Sequence, residues 1–448
     1  MADGGVRDQL GGGTTATRPT RWLVPHFEQM LYDNAQLARV YVHAWQLTRD
    51  AQYRDVAVGA GLPAARAADA GRRLRGQPRR GHQRRRGATF TWMPGEVREA
   101  LGEAAPLFEA AYGVTEEGNW RSVTILSRVR SDAELADAFG IDVPTVAARL
   151  SSTRTALLAA RAARPQPARD DKVLAAWNGL AIAALADAAQ SIEALAPELE
   201  DRASAYRAAA MAAAGDVLDG LRVAPGRLRR SWKDGRATAE GVLEDHADLA
   251  EGLLALYEAT GDERWFGEAQ DLAEGILARF ADPSGGFHDT ADDAEALVVR
   301  PRDLQDNAVP AGSSMAVTVL LRLAALTGEP RYRAAAERAL AGVGPYLARY
   351  PTAFAWWLCA LEAAHQGITE VAIVGEGTGA EALVRAASRS YEPFRVLASS
   401  ADTSSSSVPL MRDRFALHDR ATAFVCRDFA CRQPVHEPEA LEALLVGT

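Results

Sequence analysis

The stretch "HADLAEGLLALYEATGDERWFGEAQDLAEGILARF", His246 to Phe280, holds two apolar runs on either side of Thr260-Gly261-Asp262. Leu249, Leu253, Leu256 and Tyr257 recur at the i, i+3, i+4 spacing of one helix face. A glycine followed by an aspartate stops one helix and starts another. The plan is therefore helix, short turn, helix, with Trp265 soon after the turn. It recurs twice more. "NAQLARVYVHAWQLTRDAQYRDVA" from Asn34 turns at Thr48-Arg49-Asp50, and "SSMAVTVLLRLAALTGEPRYRAAAERAL" from Ser313 turns at Thr327-Gly328-Glu329. In all three the first helix begins 14 residues before the turn threonine, and an aromatic follows (Tyr53, Trp265, Tyr332). "WNGLAIAALADAAQ" from Trp177, with "YRAAAMAAAGDVLDGL" from Tyr206, reads as a looser fourth copy.

A helical hairpin cannot bury its apolar stripe alone, so hairpins must stack on one another. Turns this short force antiparallel neighbours. An open solenoid and a closed toroid both satisfy these constraints. Polar clusters at the starts of the first helices favour the toroid, where inner helices bring their starts together around a funnel. After about residue 368 the pattern changes. "ITEVAIVGEG" (368–377) reads as a buried strand, "GAEALVRAASRSY" as a helix, "ATAFVCRDFACRQPV" (421–435) as a second β-rich run and "EPEALEALLVG" as a closing helix. The tail is expected to be a small α/β unit with 368–374 and 421–426 as adjacent strands.

Composition narrows the function classes. The chain has 448 residues, 48% of them hydrophobic and 24% charged, with a net charge of −9. That balance fits a globular domain and argues against a general nucleic-acid binder. No apolar run approaches the ~20 residues of a membrane span, and no signal-peptide pattern opens the sequence. The expected location is cytoplasmic. The three cysteines, Cys359, Cys426 and Cys431, form no disulfide framework, and the last two are expected to be neighbouring thiols without a metal. Only Lys172 and Lys233 are lysines, so nearly all cations are arginine.

Six ordered motifs resemble the spermatogenesis-associated thioredoxin-domain family. They are "WLVPHFEQMLYDNAQL", "RDDKVLAAWNGLAIAALA", "LEDHADLAEGLLALYEATGD", "GGFHDTADD", "RPRDLQDNAVPAGSSMA" and "FVCRDFACRQPV", spread from Trp22 to Val435. The resemblance implies an (α/α)6 toroid similar to N-acylglucosamine 2-epimerases and six-hairpin glycosidases, preceded in the family by a thioredoxin-like domain. No C-x-x-C occurs here and the sequence opens at "VRDQLGGG", so that domain is expected to be absent. Between Gly59 and Ala88 the family pattern lapses into nine arginines against one acid, Asp69. Such a run reads as an out-of-frame translation of a GC-rich gene, as a disordered insert, or as a basic patch for nucleic acid or anionic lipid. The organisation expected is thus a toroid start over 1–58, the aberrant segment over 59–88, the rest of the toroid over 89–367 and the α/β unit over 368–448.

Two clusters of acids with a histidine stand at helix starts. The first has His26 and Glu28 with Tyr32, Asp33 and Asn34; the second has Glu244, Asp245, His246 and Asp248. Histidine beside carboxylates suits general acid/base work near neutral pH. His26, His246, Glu28 and Asp245 are the candidate catalytic residues. Trp22 and Trp177 offer aromatic faces and Asn178 an amide, which suits a sugar ring. Tyr32, Asp33, Asn34, Asp171, Asp248, Arg302 and Asn307 complete the candidate binding set. "GGFHDTADDAE" (285–295) does not match calcium-loop spacing, so no metal is expected. No P-loop or dinucleotide fingerprint occurs, so no cofactor is expected. The expected partner is a small-molecule substrate, a sugar, and neither nucleic acid nor membrane. The activity expected is a sugar isomerase, 2-epimerase or glycosidase. The alternative is a non-catalytic sugar-binding or redox-associated regulatory module.

Overall fold

The structure, a computed structural model, describes residues 1–11, 13–14, 22–59, 87–166 and 170–446. Nearly all of the arginine-rich segment lies outside the described residues. In chain order the first elements are α1 (Leu31–Thr48), α2 (Ala51–Gly59), β1 (Thr91–Trp92), α3 (Pro94–Leu101), α4 (Ala105–Tyr112), β2 (Thr124–Ile125), α5 (Asp132–Phe139) and α6 (Val143–Ala162). Then come β3 (Val173–Leu174), α7 (Ala175–Leu195), α8 (Glu200–Leu221), β4 (Arg222–Ala224), β5 (Arg227–Lys233), β6 (Arg236–Glu240), α9 (Leu243–Thr260) and α10 (Glu263–Arg279). The chain continues through α11 (Gly312–Thr327), α12 (Pro330–Leu347), α13 (Ala355–Gln366), β7 (Thr369–Val374), α14 (Gly377–Arg389), β8 (Arg395–Ser400), β9 (Thr422–Arg427), β10 (Ala430–Cys431) and α15 (Pro438–Val446).

The repeated turn has one chemistry. Thr48, Thr260 and Thr327 each donate their hydroxyl to the carbonyl four residues back, at 2.7, 2.7 and 2.6 Å. The same oxygen accepts the backbone N–H two residues on, at Asp50, Asp262 and Glu329. The residue between adopts positive φ at Arg49, Gly261 and Gly328, which turns the chain out of the helix. Asp50 and Asp262 then accept from Gln52 and Arg264, capping the return helix. Trp265 and Tyr332 are buried where the return helix meets its partner.

The fold is mainly α, a toroid of α/α hairpins with a small C-terminal α/β unit. Inner helices α1, α7, α9, α11 and α13 pack side by side in that order, and α2, α8, α10 and α12 lie behind them. The described residues thus hold four full hairpins and the inner helix of a fifth. Small residues let α7 and α9 approach closely: a Cβ at Gly179 would stand 2.2 Å from the Asp248 carbonyl oxygen. The sequence 94–162, expected within the toroid, instead gathers a core of its own around Trp92, Phe108, Tyr112, Leu135 and Leu157. Its tie to the N-terminal segment includes the buried pair Arg161–Asp8 at 2.6 Å.

Charged side chains meet one another between the inner helices. There Arg39 on α1 meets Asp187 on α7 at 2.6 Å and Glu251 on α9 at 3.1 Å. Arg322 on α11 pairs with the same Glu251 and, at 2.7 Å, with Glu258. His43 adds a contact to Asp187 at 3.3 Å. Burial alone would raise the Asp187 carboxyl, but Arg39 and His43 hold it well below the usual range. The network ties four inner helices through one another's charges.

The α/β unit covers the C-terminal ends of these helices. Its sheet runs β10-β9-β7-β8, with β7 parallel to β8 and antiparallel to β9. Strands β7 and β9 are thus neighbours, as the sequence indicates. Gln46 and Arg49 at the end of α1 donate to the carbonyls of Ser388 and Arg389. One expectation is corrected. Cys426 and Cys431 are not two free thiols but a disulfide. The β9–β10 hairpin sets them directly opposite each other, which brings their side chains within bonding reach. Cys359 on α13 remains free.

The charge network makes a test. Glu251→Ala leaves Arg39 and Arg322 facing each other in a buried site, and should cost about 3–5 kcal/mol. Arg331→Ala, which removes an exposed pair with Glu274, should cost about 1 kcal/mol or less. Urea unfolding of both variants checks the contrast.

Candidate functional site

The starts of the inner helices lie at the end away from the α/β unit. The sequence brings polar side chains there because the first turn of a helix leaves N–H groups without intrahelical partners. Asp245 shows the principle. Its Oδ2 accepts from the Val242 N–H at 3.0 Å, capping α9, and its Oδ1 accepts from the Ala176 N–H at 3.3 Å, tying α9 to the start of α7. Arg230 on β5 lies 3.3 Å from Asp245 and 2.6 Å from Glu244. Burial nevertheless pushes the Asp245 carboxyl up to about 7.

Other buried groups have atoms left over. Among the described residues, Asp33 Oδ2 on α1, Asn178 Oδ1 on α7, Asp248 Oδ1 on α9 and Ser313 Oγ on α11 are buried with no hydrogen-bond partner. Four neighbouring inner helices each contribute one, in the first two turns. Unmet buried polar atoms are costly in a folded protein and call for a ligand or water. Burial pushes the Asp33 carboxyl up to about 6. Asp248 sits one turn from Glu251 on α9. Burial, with Glu244, Asp245 and Glu251 close by, drives its carboxyl well above the usual range. Tyr32 meets Trp177 edge to face at 4.9 Å, so the starts of α1 and α7 share an aromatic wall. Asp289, from the glycine-rich loop, is raised by burial and feels Glu244 nearby.

The remaining sequence candidates have other surroundings. His246 is buried, its Nδ1 2.8 Å from the Val242 carbonyl and its ring 4.9 Å from Phe280. Burial lowers it to about 4, so it is neutral near pH 7. His26 and Trp22 are exposed on the segment before α1, and Glu28 is half-buried there. Asn34 is fully employed: it accepts from the Thr14 N–H at 2.6 Å and donates to the carbonyls of Thr14 and Met30. Asp171 is half-buried beside Lys172. Arg302 braces its own loop through Asp282 at 2.9 Å and the Gly285 carbonyl. Asn307 is exposed. Its neighbour Asp306 accepts from the Ala311 and Trp356 N–H groups, serving the starts of α11 and α13. Ser313 occupies the repeat position of Asn34 and His246.

The chain is similar to spermatogenesis-associated protein 20. It is 34% identical to that protein from Homo sapiens and 31% identical to that from Mus musculus, in each case over 99% of the chain. It spans 61% of the length of both relatives. A Caenorhabditis elegans protein, B0495.5, is 27% identical over 99% of the chain and 65% of its own length. No family model matches. Among solved structures, the chain is similar to an unsaturated glucuronyl hydrolase from Bacillus sp. GL1, with TM-score 0.33 and 13% identity over 76% of this chain and 81% of that one. It is also similar to a family 105 glycoside hydrolase of C. acetobutylicum, with TM-score 0.31 and 12% identity over 70% and 76%. Among the described residues no helix is long and apolar enough to cross a membrane.

The raised carboxyls have a consequence for stability. A carboxyl raised on folding binds more protons in the native than in the unfolded chain. Its contribution is therefore intact below the unfolded value and is lost as pH rises toward the folded one. His246, lowered on folding, acts in the opposite sense, and its contribution is lost as pH falls through the ordinary histidine range toward about 4. Asp248→Asn removes the first loss. The variant should gain on the wild type progressively as pH rises from 4 to 8. Denaturant midpoints across that range check it. A stability difference independent of pH would contradict the raised carboxyl.

Proposed function

We propose that the end of the toroid where the inner helices start binds a sugar and transfers protons to and from it, as an isomerase or 2-epimerase does. The observation that carries this reading is the pair Asp33 and Asp248. They stand on inner helices separated by α7, and each has a buried oxygen that no protein group satisfies. Their environments also set them apart. Asp33, at about 6, is mostly a base near neutral pH, while Asp248, raised well above the usual range by burial and its acidic neighbours, takes the role of the acid. The base takes a proton from the carbon beside the sugar carbonyl, and the acid gives one to the carbonyl oxygen. Return of a proton to either carbon or face completes the reaction.

The other residues serve binding. The Tyr32–Trp177 wall suits the apolar face of a sugar ring, and Asn178 Oδ1 accepts from a hydroxyl. In this reading His246 is a neutral clamp on the start of α9, and His26 approaches substrate from the rim rather than from the floor. Glycoside cleavage is the second reading. It is favoured by Glu244 and Asp248, one turn apart on one helix face, a spacing suited to paired carboxyl groups.

Solvent deuterium separates the two. Incubating aldoses and N-acyl hexosamines in heavy water should place deuterium on the carbon beside the carbonyl. Asp33→Asn and Asp248→Asn should each lower that rate at least about 100-fold, with sugar binding by calorimetry retained. Release of new reducing ends from oligosaccharides, with no carbon-bound deuterium in the aldoses, would favour cleavage instead. Binding with neither product would leave a sugar-binding module.

A further inference from the structure

Cys426 and Cys431 face each other across the β9–β10 hairpin and are joined, but their surroundings differ. Cys426 is buried and Cys431 is exposed. Arg414 reaches both from inside the unit. Its Nη2 lies 3.5 Å from Cys426 Sγ and 3.2 Å from Cys431 Sγ. Its Nη1 is held by the Leu410 and Arg412 carbonyls, so the guanidinium is fixed in place. A disulfide is neutral and gains little from a cation beside it. A thiolate gains much, since a nearby arginine lowers the thiol pKa. The arrangement therefore stabilises the reduced form of the pair.

We infer that Cys426–Cys431 is a thiol–disulfide exchange centre, which accepts two electrons from a dithiol whose thiolate enters at Cys431 Sγ. In the first step that thiolate bonds to Cys431 Sγ and the Cys426–Cys431 bond breaks. Cys426 leaves as a thiolate beside Arg414. The second thiol of the donor, losing its proton to solvent, then attacks its own bonded sulfur. This releases the donor as a disulfide and Cys431 as a thiolate. Two electrons pass from donor to protein, and the chain gains two sulfhydryl groups on protonation.

The hairpin is also tied to the toroid. Asp428 and Phe429, in the turn between the cysteines, both hold positive φ. The Phe429 N–H donates to Glu370 at 2.9 Å, and its ring lies against Gly328 at the α11–α12 turn. The bond that closes the hairpin thus sits one turn from an inner-helix end.

The test uses the whole native protein. Dithiothreitol without denaturant should expose two further alkylatable cysteines beyond Cys359, with the fold intact by circular dichroism. With glutathione as a monothiol donor, peptide mapping should find the adduct on Cys431. Arg414→Gln should slow reduction about three- to tenfold at pH 7, while Arg414→Lys restores most of the rate. Resistance to dithiothreitol until urea unfolds the wild type would overturn the proposal. So would an adduct on Cys426 alone, or an Arg414→Gln protein that reacts at the wild-type rate.

Discussion

Glu251 lies between two arginines where the inner helices meet, and the rest of the toroid is arranged around that contact. Arg39 and Arg322 reach it from α1 and α11, and each then turns to a second carboxylate, Asp187 or Glu258. Apolar helix faces can slide past one another at small cost, because one leucine contact replaces another. A buried charge cannot slide, since displacement leaves it unpaired in a medium of low dielectric. The network therefore fixes the register of α1, α7, α9 and α11, and with it the height at which each helix begins.

That register decides the chemistry above it. One turn from Glu251, Asp248 has the same buried setting, but acids rather than arginines dominate its surroundings. The cations are committed to Glu251 or, like Arg230, to Glu244 and Asp245. Two carboxyl groups on one helix thus have contrasting surroundings, set by where the arginines are. Placing an uncompensated acid there costs stability, as expected of a site kept for a ligand rather than for packing.

Much of the fold was legible because a repeated turn has a repeated chemistry. Each turn carries a threonine hydroxyl that ends one helix, and in two of them an aspartate caps the next, so three hairpins could be read directly. The strands of the C-terminal unit were legible for the same kind of reason, as short β-branched runs. The site was less so. Asp245 and His246 drew notice as an acid beside a histidine, yet one caps a helix and the other clamps a carbonyl. The charges between the inner helices, Arg39, Asp187, Glu251 and Arg322, went unread because a lone charge on a helix resembles a solvent-facing one until neighbours are known. Their signal was present, since Arg39 and Glu251 hold the same place in the repeat. The Cys426–Cys431 bond depends on hairpin register, which spacing in the sequence does not determine.

The central claim is that this arrangement raises the Asp248 carboxyl well above the usual range while Glu251, three residues away, is paired with two arginines. Infrared spectroscopy tests it most directly, since a protonated carboxyl and a carboxylate absorb in separate regions. The wild-type protein at pH 7 should show protonated-carboxyl absorption that Asp248→Asn diminishes and Glu251→Gln leaves in place. A band that survives Asp248→Asn undiminished, or a wild-type spectrum with carboxylate absorption alone, would contradict the account.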